Sequence, residues 1–122
     1  MRMIKFRGKR LDNGEWVVGN LIQGDQSFIE GLEVDPETVG QFTGLIDKNG
    51  NEIYEGDIVQ QYWGFPHYRN GVYYECYSRR GKVLFDPSGC FVLLSESILY
   101  HLFGVGLTQE VQGNIHDNPE LF

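Results

Sequence analysis

Hydrophobic and polar residues alternate along this chain in short runs, and turn signals separate the runs. The alternation starts at residues 4–7 and is typical of a strand with one buried face. The segment Asp12-Asn13-Gly14 predicts a turn, because Asn and Gly adopt positive φ at low cost. We therefore predict an N-terminal β meander with a return strand over residues 15–23 and a third strand over 27–34.

Proline, glycine and carboxylate residues punctuate the middle of the chain. Asp35-Pro36-Glu37 breaks the strand pattern, since proline fixes its own φ and disfavours helical backbone before it. Asp47-Lys48-Asn49-Gly50 predicts a hairpin with a glycine bulge, and Gly56-Asp57 marks a second tight turn. We expect two units, a β meander over 1–38 and a second β domain over 39–122.

The last third of the chain alternates strand-like runs with one helix candidate. Asn70-Gly71 predicts a hairpin turn, and strand-like runs follow at 82–85, 90–94 and 109–115. Residues 95–103 are the best helix candidate, because a serine stands at the cap position and three apolar residues fall near one helical face. The segment is short, so a strand stays open as the alternative.

Composition supports an all-β chain with room for one short helix. The 122 residues include 16 glycines and 17 aromatic residues, which favour strands and turns. The longest uncharged run spans 13 residues, Ser97 to Gln109, whereas a membrane span needs about 20 apolar residues. With no signal peptide visible at the N-terminus, we expect a cytoplasmic protein without a membrane partner.

Charge is distributed unevenly along a chain whose net charge is −7. Residues 1–10 carry five basic residues and no acid, whereas residues 11–60 carry eleven acids and one base. The acidic segment argues against broad wrapping of nucleic acid, because phosphates repel it. It is typical of a solvated surface; imitation of nucleic acid toward a host protein is an alternative.

Four carboxylates lie close together in sequence at Asp47, Glu52, Glu55 and Asp57. A magnesium-dependent hydrolase would need such groups to converge on one ion. Turn chemistry is the preferred interpretation, because Asp side chains accept hydrogen bonds from nearby backbone N–H groups and glycine supplies the unusual backbone angle.

Cysteine and histidine spacing does not favour a metal site. Cys76, Cys90 and the three histidines lack the paired spacing of zinc ligands. In a reducing cytosol the two cysteines are expected to stay unpaired, as buried small hydrophobic residues. We expect no metal and no cofactor.

The segment 62–82 interleaves aromatic and basic residues and is the best candidate for a binding surface. Three interpretations stay open: a structural hairpin that packs into the core, a protein interface that includes self-association, and a groove for single-stranded nucleic acid. The candidate binding residues are Tyr62, Trp63, Phe65, Tyr68, Arg69, Arg79 and Arg80.

Three segments together resemble the YopX-like family of phage and prophage proteins: MIKFRGKRLDNGEWVVG (3–19), VDPETVGQFTGLIDKNGNEIYEGDIV (34–59) and EVQGNIHDNPELF (110–122). The resemblance implies an SH3-like barrel in the C-terminal two thirds, a phage or prophage origin and a bacterial cytoplasm. It implies no activity and no catalytic residue. Our hypothesis is a non-catalytic accessory protein that acts through protein contacts or self-association; a nucleic-acid binder and a metal-dependent hydrolase are the alternatives.

Overall fold

The computed structural model of the chain describes residues 4–64, 67–74, 77–104 and 106–122. These residues form an all-β protein with two short 3₁₀ helices, at Pro36–Thr38 and Pro119–Leu121. The strands are β1 (Phe6–Lys9), β2 (Trp16–Gly19), β3 (Leu21–Gln23), β4 (Ser27–Ile29), β5 (Leu32–Val34), β6 (Gly40–Ile46), β7 (Glu52–Tyr54), β8 (Asp57–Trp63), β9 (His67–Arg69), β10 (Val72–Tyr74), β11 (Tyr77–Phe85), β12 (Phe91–Ser95), β13 (Ile98–His101) and β14 (Thr108–Asn114).

The strands pair into four sheets, and their pairs are antiparallel. The largest sheet has the order β13-β12-β11-β8-β14, and a four-stranded sheet has the order β2-β1-β6-β7. A three-stranded sheet follows chain order, β3-β4-β5, and β9 pairs with β10 in a hairpin. None of the sheets that the described residues form closes into a barrel, so the expected SH3-like barrel is not confirmed.

The predicted N-terminal meander is present in outline, but two of its three strands are divided. The return strand over 15–23 breaks at Asn20, so that β2 pairs with β1 and β3 pairs with β4. The third strand is split in two, because Glu30 and Gly31 have φ of 50° and 78° and form a tight turn between β4 and β5. Strand β1 pairs with β2 on one side and with β6 on the other. Backbone hydrogen bonds between β1 and β6 therefore join the two predicted units. The division at residue 38 stays a prediction.

The predicted helix over 95–103 is wrong. Ser95 ends β12, and β13 returns beside it in antiparallel register, with Leu93 opposite Tyr100. Glu96 and Ser97 both have positive φ, at 50° and 69°, which is the conformation of a two-residue hairpin turn. Hydrogen bonds to β12 thus outweigh the weak helical pattern of a short segment.

The core lies between the five-stranded sheet and the β6-β7 hairpin. Its buried residues are Ile53, Val59, Val83, Leu93 and Leu102, and Leu45, Phe91, Tyr100 and Val111 pack against them. A second contact joins β1 to the three-stranded sheet, since a Cβ added at Gly8 would lie 3.2 Å from side-chain atoms of Ile29 and Val34. Burial of these side chains fixes which face of each sheet points inward.

Two buried glutamines hold the segment after β13 on the large sheet. Gln61 Nε2 donates to the carbonyl oxygen of His101 at 3.0 Å, and Gln109 Nε2 donates to that of Leu102 at 2.8 Å. Because the two glutamines are opposite each other in β8 and β14, they clamp two consecutive carbonyls. This contact sets the position of β13.

Two further expectations concern cysteines and membrane spans. Cys90 is exposed, so its expected burial is wrong; Cys76 lies outside the described residues. Within the described part of the chain, no helix has the length and apolar character needed to cross a bilayer.

Candidate functional site

Asp47 performs turn chemistry, as its sequence pattern predicts. Its carboxylate accepts hydrogen bonds from the backbone N–H groups of Asn49 at 2.9 Å, Asn51 at 2.8 Å and Val111 at 2.9 Å. Burial raises the pKa of Asp47, but the amide donors of Val111, Asn51 and Asn49 outweigh it and hold the pKa below its ordinary value. The carboxylate therefore ties the β6-β7 hairpin to β14.

Glu52 is also engaged by neighbouring side chains. Its carboxylate lies 2.5 Å from Lys5 Nζ, and it accepts a hydrogen bond of 3.1 Å from the Tyr54 hydroxyl. Burial raises the pKa of Tyr54 to about 12, and the bond to Glu52 adds to the shift. Glu52 thus joins β1 to β7.

Asp57 lies at the centre of what we call the Arg7 cluster, which consists of Arg7, Trp16, Tyr54 and Asp57. The Asp57 carboxylate accepts from Arg7 Nη2 at 2.6 Å and from the Tyr54 backbone N–H at 2.7 Å. The Arg7 guanidinium lies 4.7 Å from the Trp16 ring centroid and 4.8 Å from that of Tyr54. Its charge is therefore neutralised by a carboxylate and lies over two aromatic rings.

Burial dominates the electrostatics of this ion pair. It raises the pKa of Asp57, while the Arg7 charge and the Tyr54 amide act in the opposite direction. The exposed fractions of the two side chains are 14% for Arg7 and 1% for Asp57. Gly56, with φ of 92°, forms the predicted turn that presents Asp57 to Arg7.

Asp117 extends the Arg7 cluster toward the C-terminus. It accepts hydrogen bonds from Lys9 Nζ and from Trp16 Nε1, the latter at 2.9 Å. These donors, Lys9 first, lower the pKa of Asp117 to about 2. The His116 ring lies 5.9 Å from the Trp16 ring. The C-terminal segment thereby fixes the orientation of Trp16 over Arg7.

The carboxylates of the middle segment do not meet at one point. Asp47 faces backbone amides, Glu52 faces Lys5, and Asp57 faces Arg7. Within the ranges that the structure describes, no group of three or more His, Cys, Asp or Glu residues is placed to hold a metal ion. In the described structure these three carboxylates hold strands together.

A second aromatic and basic group lies at the open end of the five-stranded sheet. We call it the Arg79 cluster, and it consists of Trp63, Tyr77, Arg79 and Tyr100. The Trp63 and Tyr77 rings are stacked with centroids 5.8 Å apart, and the Arg79 guanidinium lies 4.1 Å from the Trp63 ring and 3.6 Å from the Tyr100 ring. Trp63 and Arg79 are half-buried, and Tyr77 is 58% exposed.

Strand register explains why these four residues meet. Tyr77 is opposite Trp63, and Arg79 is two residues further along β11, so all three point to the same face of the sheet. Tyr100 reaches that face from β13, because it is opposite Leu93, which is opposite Val83. The cluster is the solvent-exposed margin of the face that carries the core.

The structure divides the predicted binding residues between two faces. Tyr62 and Arg80 lie on the face opposite to the Arg79 cluster, since side chains alternate along a strand. There Lys48 Nζ lies 4.6 Å from the Tyr62 ring, and Arg80 Nε donates to Gln60 at 3.4 Å.

Three other predicted residues fall in or next to the β9-β10 hairpin. Tyr68 and Arg69 are exposed on it. Phe65 lies outside the described residues. Of the seven predicted residues, the structure therefore brings only Trp63 and Arg79 together within the described part of the chain.

Sequence reasoning missed Tyr100 and left Tyr77 out of the site. Tyr77 could have been predicted as a neighbour of Arg79, because residues two apart on one strand point to the same face. Tyr100 was hidden by the helix interpretation of its segment, which gave no reason to place it beside β11. Arg7 was also missed as the partner of Asp57, although the basic start of the chain beside an acidic segment signalled a pairing of charges.

A family model described as YopX protein matches residues 7–122. A comparison with curated proteins finds no match.

Proposed function

The chain belongs to the YopX protein family, and we propose that it is a non-catalytic binding protein that contacts other proteins through the Arg79 cluster. The observation that carries the proposal is the half-exposed stack of Trp63, Tyr77 and Arg79. Trp, Tyr and Arg are the residues that most often dominate the binding energy of protein interfaces. The cluster presents them together on one rigid sheet.

The state of the other polar groups supports a binding role over a reaction. Backbone amides and cations of the same chain already bind the carboxylates of Asp47, Glu52 and Asp57. A general acid or base needs free access to its substrate at hydrogen-bond distance. Asp47 and Asp57 are buried and do not provide that access, and Glu52, whose side chain is 37% exposed, is already paired with Lys5.

We also propose the setting in which this binding occurs. The resemblance of the chain to phage and prophage proteins supports a phage or prophage origin. A bacterial cytoplasm follows from that origin. The binding partner is then another protein of the infected or lysogenic cell, and self-association is the second form of the same proposal.

The test is affinity capture from infected or induced bacterial cells, read by mass spectrometry. The bait is the wild-type chain, the double variant Trp63→Ala and Tyr77→Ala, or the control variant Tyr62→Ala on the opposite face. We expect proteins that the wild type and the control retain and that the double variant loses. Light scattering on the same samples reports self-association.

The variants are first checked for a native near-ultraviolet circular dichroism spectrum. Identical capture by all three baits would overturn the proposal. So would a wild-type bait that retains no protein above background and is a strict monomer.

A further inference from the structure

The Arg79 cluster contains a cation whose charge the described part of the chain does not neutralise. Its guanidinium is held between the Trp63 and Tyr100 rings. Its Nε is buried and has no hydrogen-bond partner among the described residues. No ion pair joins Arg79 to another residue in the described ranges. The Nε of Arg7 is in the same state, so the feature that sets Arg79 apart is a guanidinium without a carboxylate partner among the described residues.

The Arg7 cluster shows in the same molecule how the charge of such an arginine is neutralised, through Nη2. Arg7 also lies between two aromatic rings, and a carboxylate meets its edge at 2.6 Å. The planar guanidinium fork matches the two oxygens of a carboxylate, so the group that fits the open edge is defined by geometry. In the Arg79 cluster the rings and the cation are present and the carboxylate is missing from the described residues.

We propose that Arg79 binds the carboxylate of an Asp or Glu side chain on an acidic segment of a partner protein. This inference rests on the proposed function and names the chemistry of the partner. Trp63 and Tyr100 contact the guanidinium and hold it in place. The exposed Tyr77 ring, stacked on Trp63, covers the rim of the contact.

Charge complementarity favours an acidic protein segment. Residues 62–82 carry four basic residues and one acidic residue, so this segment is net positive. Arg80 and Lys82 lie on the opposite face of β11 from Arg79. A nucleic-acid backbone is bound by a row of cations, whereas this face of β11 offers a single fork. The occupant we commit to is a different protein, and a second copy of this chain is an outcome of the test.

The experiment is a titration of the ¹⁵N-labelled full chain with a short capped oligoglutamate peptide, followed by the arginine Nε–Hε signals in NMR spectra. Oligoglutamine is the neutral control peptide. We expect a saturable shift of the Arg79 signal with oligoglutamate only. Arg79→Gln should weaken binding by about tenfold or more, the scale of one charge-assisted pair. Arg80→Gln removes the same charge from the neighbouring residue and should leave the affinity within about twofold, as expected for an exposed charge on the other face.

Arg79→Lys separates charge from geometry. Lysine keeps the positive charge and loses the fork, so we expect binding weaker than in the wild type despite the unchanged net charge. Native circular dichroism spectra are required of all variants.

Several results would overturn the inference. These are an Arg79 signal that does not move with oligoglutamate, an equal response to oligoglutamine, or an equal loss of binding in Arg80→Gln. A stronger response to a single-stranded oligothymidylate would assign the fork to phosphate. A dimer that Arg79→Gln dissociates would place the carboxylate on a second copy. If oligoglutamate does not bind while capture still depends on Trp63 and Tyr77, the inference fails and the proposed function stands.

Discussion

Arg7 and Arg79 lie in similar aromatic surroundings at opposite ends of strand β8, which begins at Asp57 and ends at Trp63. Each guanidinium faces two aromatic rings, at 4.7 and 4.8 Å for Arg7 and at 4.1 and 3.6 Å for Arg79. Arg7 is closed by Asp57, which is 1% exposed. Arg79 has no carboxylate among the described residues, and the Tyr77 ring beside it is 58% exposed. The difference between the two clusters is the missing acid.

That difference shows that residue type alone does not separate structure from function. A buried ion pair contributes little net stability, but removal of one partner is costly because the other charge stays buried. The Arg7 cluster is therefore a point where the fold can be broken. The Arg79 cluster lies at a sheet margin with Arg79 half-buried, and we propose that a partner protein completes it there. The predictions below test this contrast.

Asp57→Ala should have the largest effect on the Arg7 cluster. The substitution leaves Arg7 buried without its counter-charge and the Tyr54 amide without its acceptor. We expect the free energy of unfolding to fall by about 3–5 kcal/mol. The control Glu55→Ala removes the same charge two residues away and should cost less than about 1 kcal/mol. Urea unfolding measures both; equal losses would remove Asp57 from its central place in the fold.

The two tryptophans provide a matched pair of smaller changes. Trp16→Phe removes the indole N–H that donates to Asp117 at 2.9 Å, and a hydrogen bond to a charged group is worth about 1.5 kcal/mol or more. Trp63→Phe keeps an aromatic ring beside Arg79 and should cost less than about 1 kcal/mol. The two losses are compared by thermal and urea unfolding. A larger loss for Trp63→Phe would contradict the assignment of the Arg7 cluster to fold stability and of the Arg79 cluster to binding.

The smallest expected effect is a pH dependence that comes from Asp117. Its pKa in the folded chain is about 2, against an ordinary value of 3.8. The carboxylate therefore stabilises the fold fully above its ordinary pKa, and this contribution is lost as the pH falls toward 2. Because the side chain is partly exposed, we expect a contribution of about 1 kcal/mol or less at neutral pH.

Asp117→Asn isolates that contribution. The variant should be less stable than the wild type at pH 7, and the difference should shrink as the pH falls through about 2, where the folded wild type takes up its proton. Urea unfolding across this pH range measures the difference directly. A difference in unfolding free energy that stays constant across the whole pH range would show that Asp117 acts through its shape and not through its charge.

Local features of the fold were predictable from the sequence, and contacts between distant segments were not. The Asp47 hairpin and the Gly56-Asp57 turn were predicted, because side-chain acceptors and positive φ act within a few residues. The partner of Asp57 stands 50 residues away, where no local pattern reaches. The expected barrel was not confirmed, since closure depends on how separate sheets meet.

The candidate site was predicted only in part for the same reason. Composition identified the aromatic and basic segment, but neighbours such as Tyr62 and Trp63 point to opposite faces of one strand. The alternation of side chains along a strand would have assigned these two residues to opposite faces before the structure was known. Tyr100 could be placed beside Arg79 only by someone who knew of the β12-β13 hairpin. The turn of that hairpin is formed by Glu96 and Ser97, which both have positive φ, and neither is a glycine that would have signalled a turn.

The most direct test of the contrast is the unfolding free energy of Arg7→Gln beside that of Arg79→Gln, measured in urea under one set of conditions. Arg7→Gln leaves the Asp57 carboxylate buried and unpaired, so we predict a loss of about 3–5 kcal/mol. We predict a loss of less than about 1 kcal/mol for Arg79→Gln, as for a partly exposed side chain without an ion pair. Equal losses would contradict the account, because both arginines would then belong to the architecture.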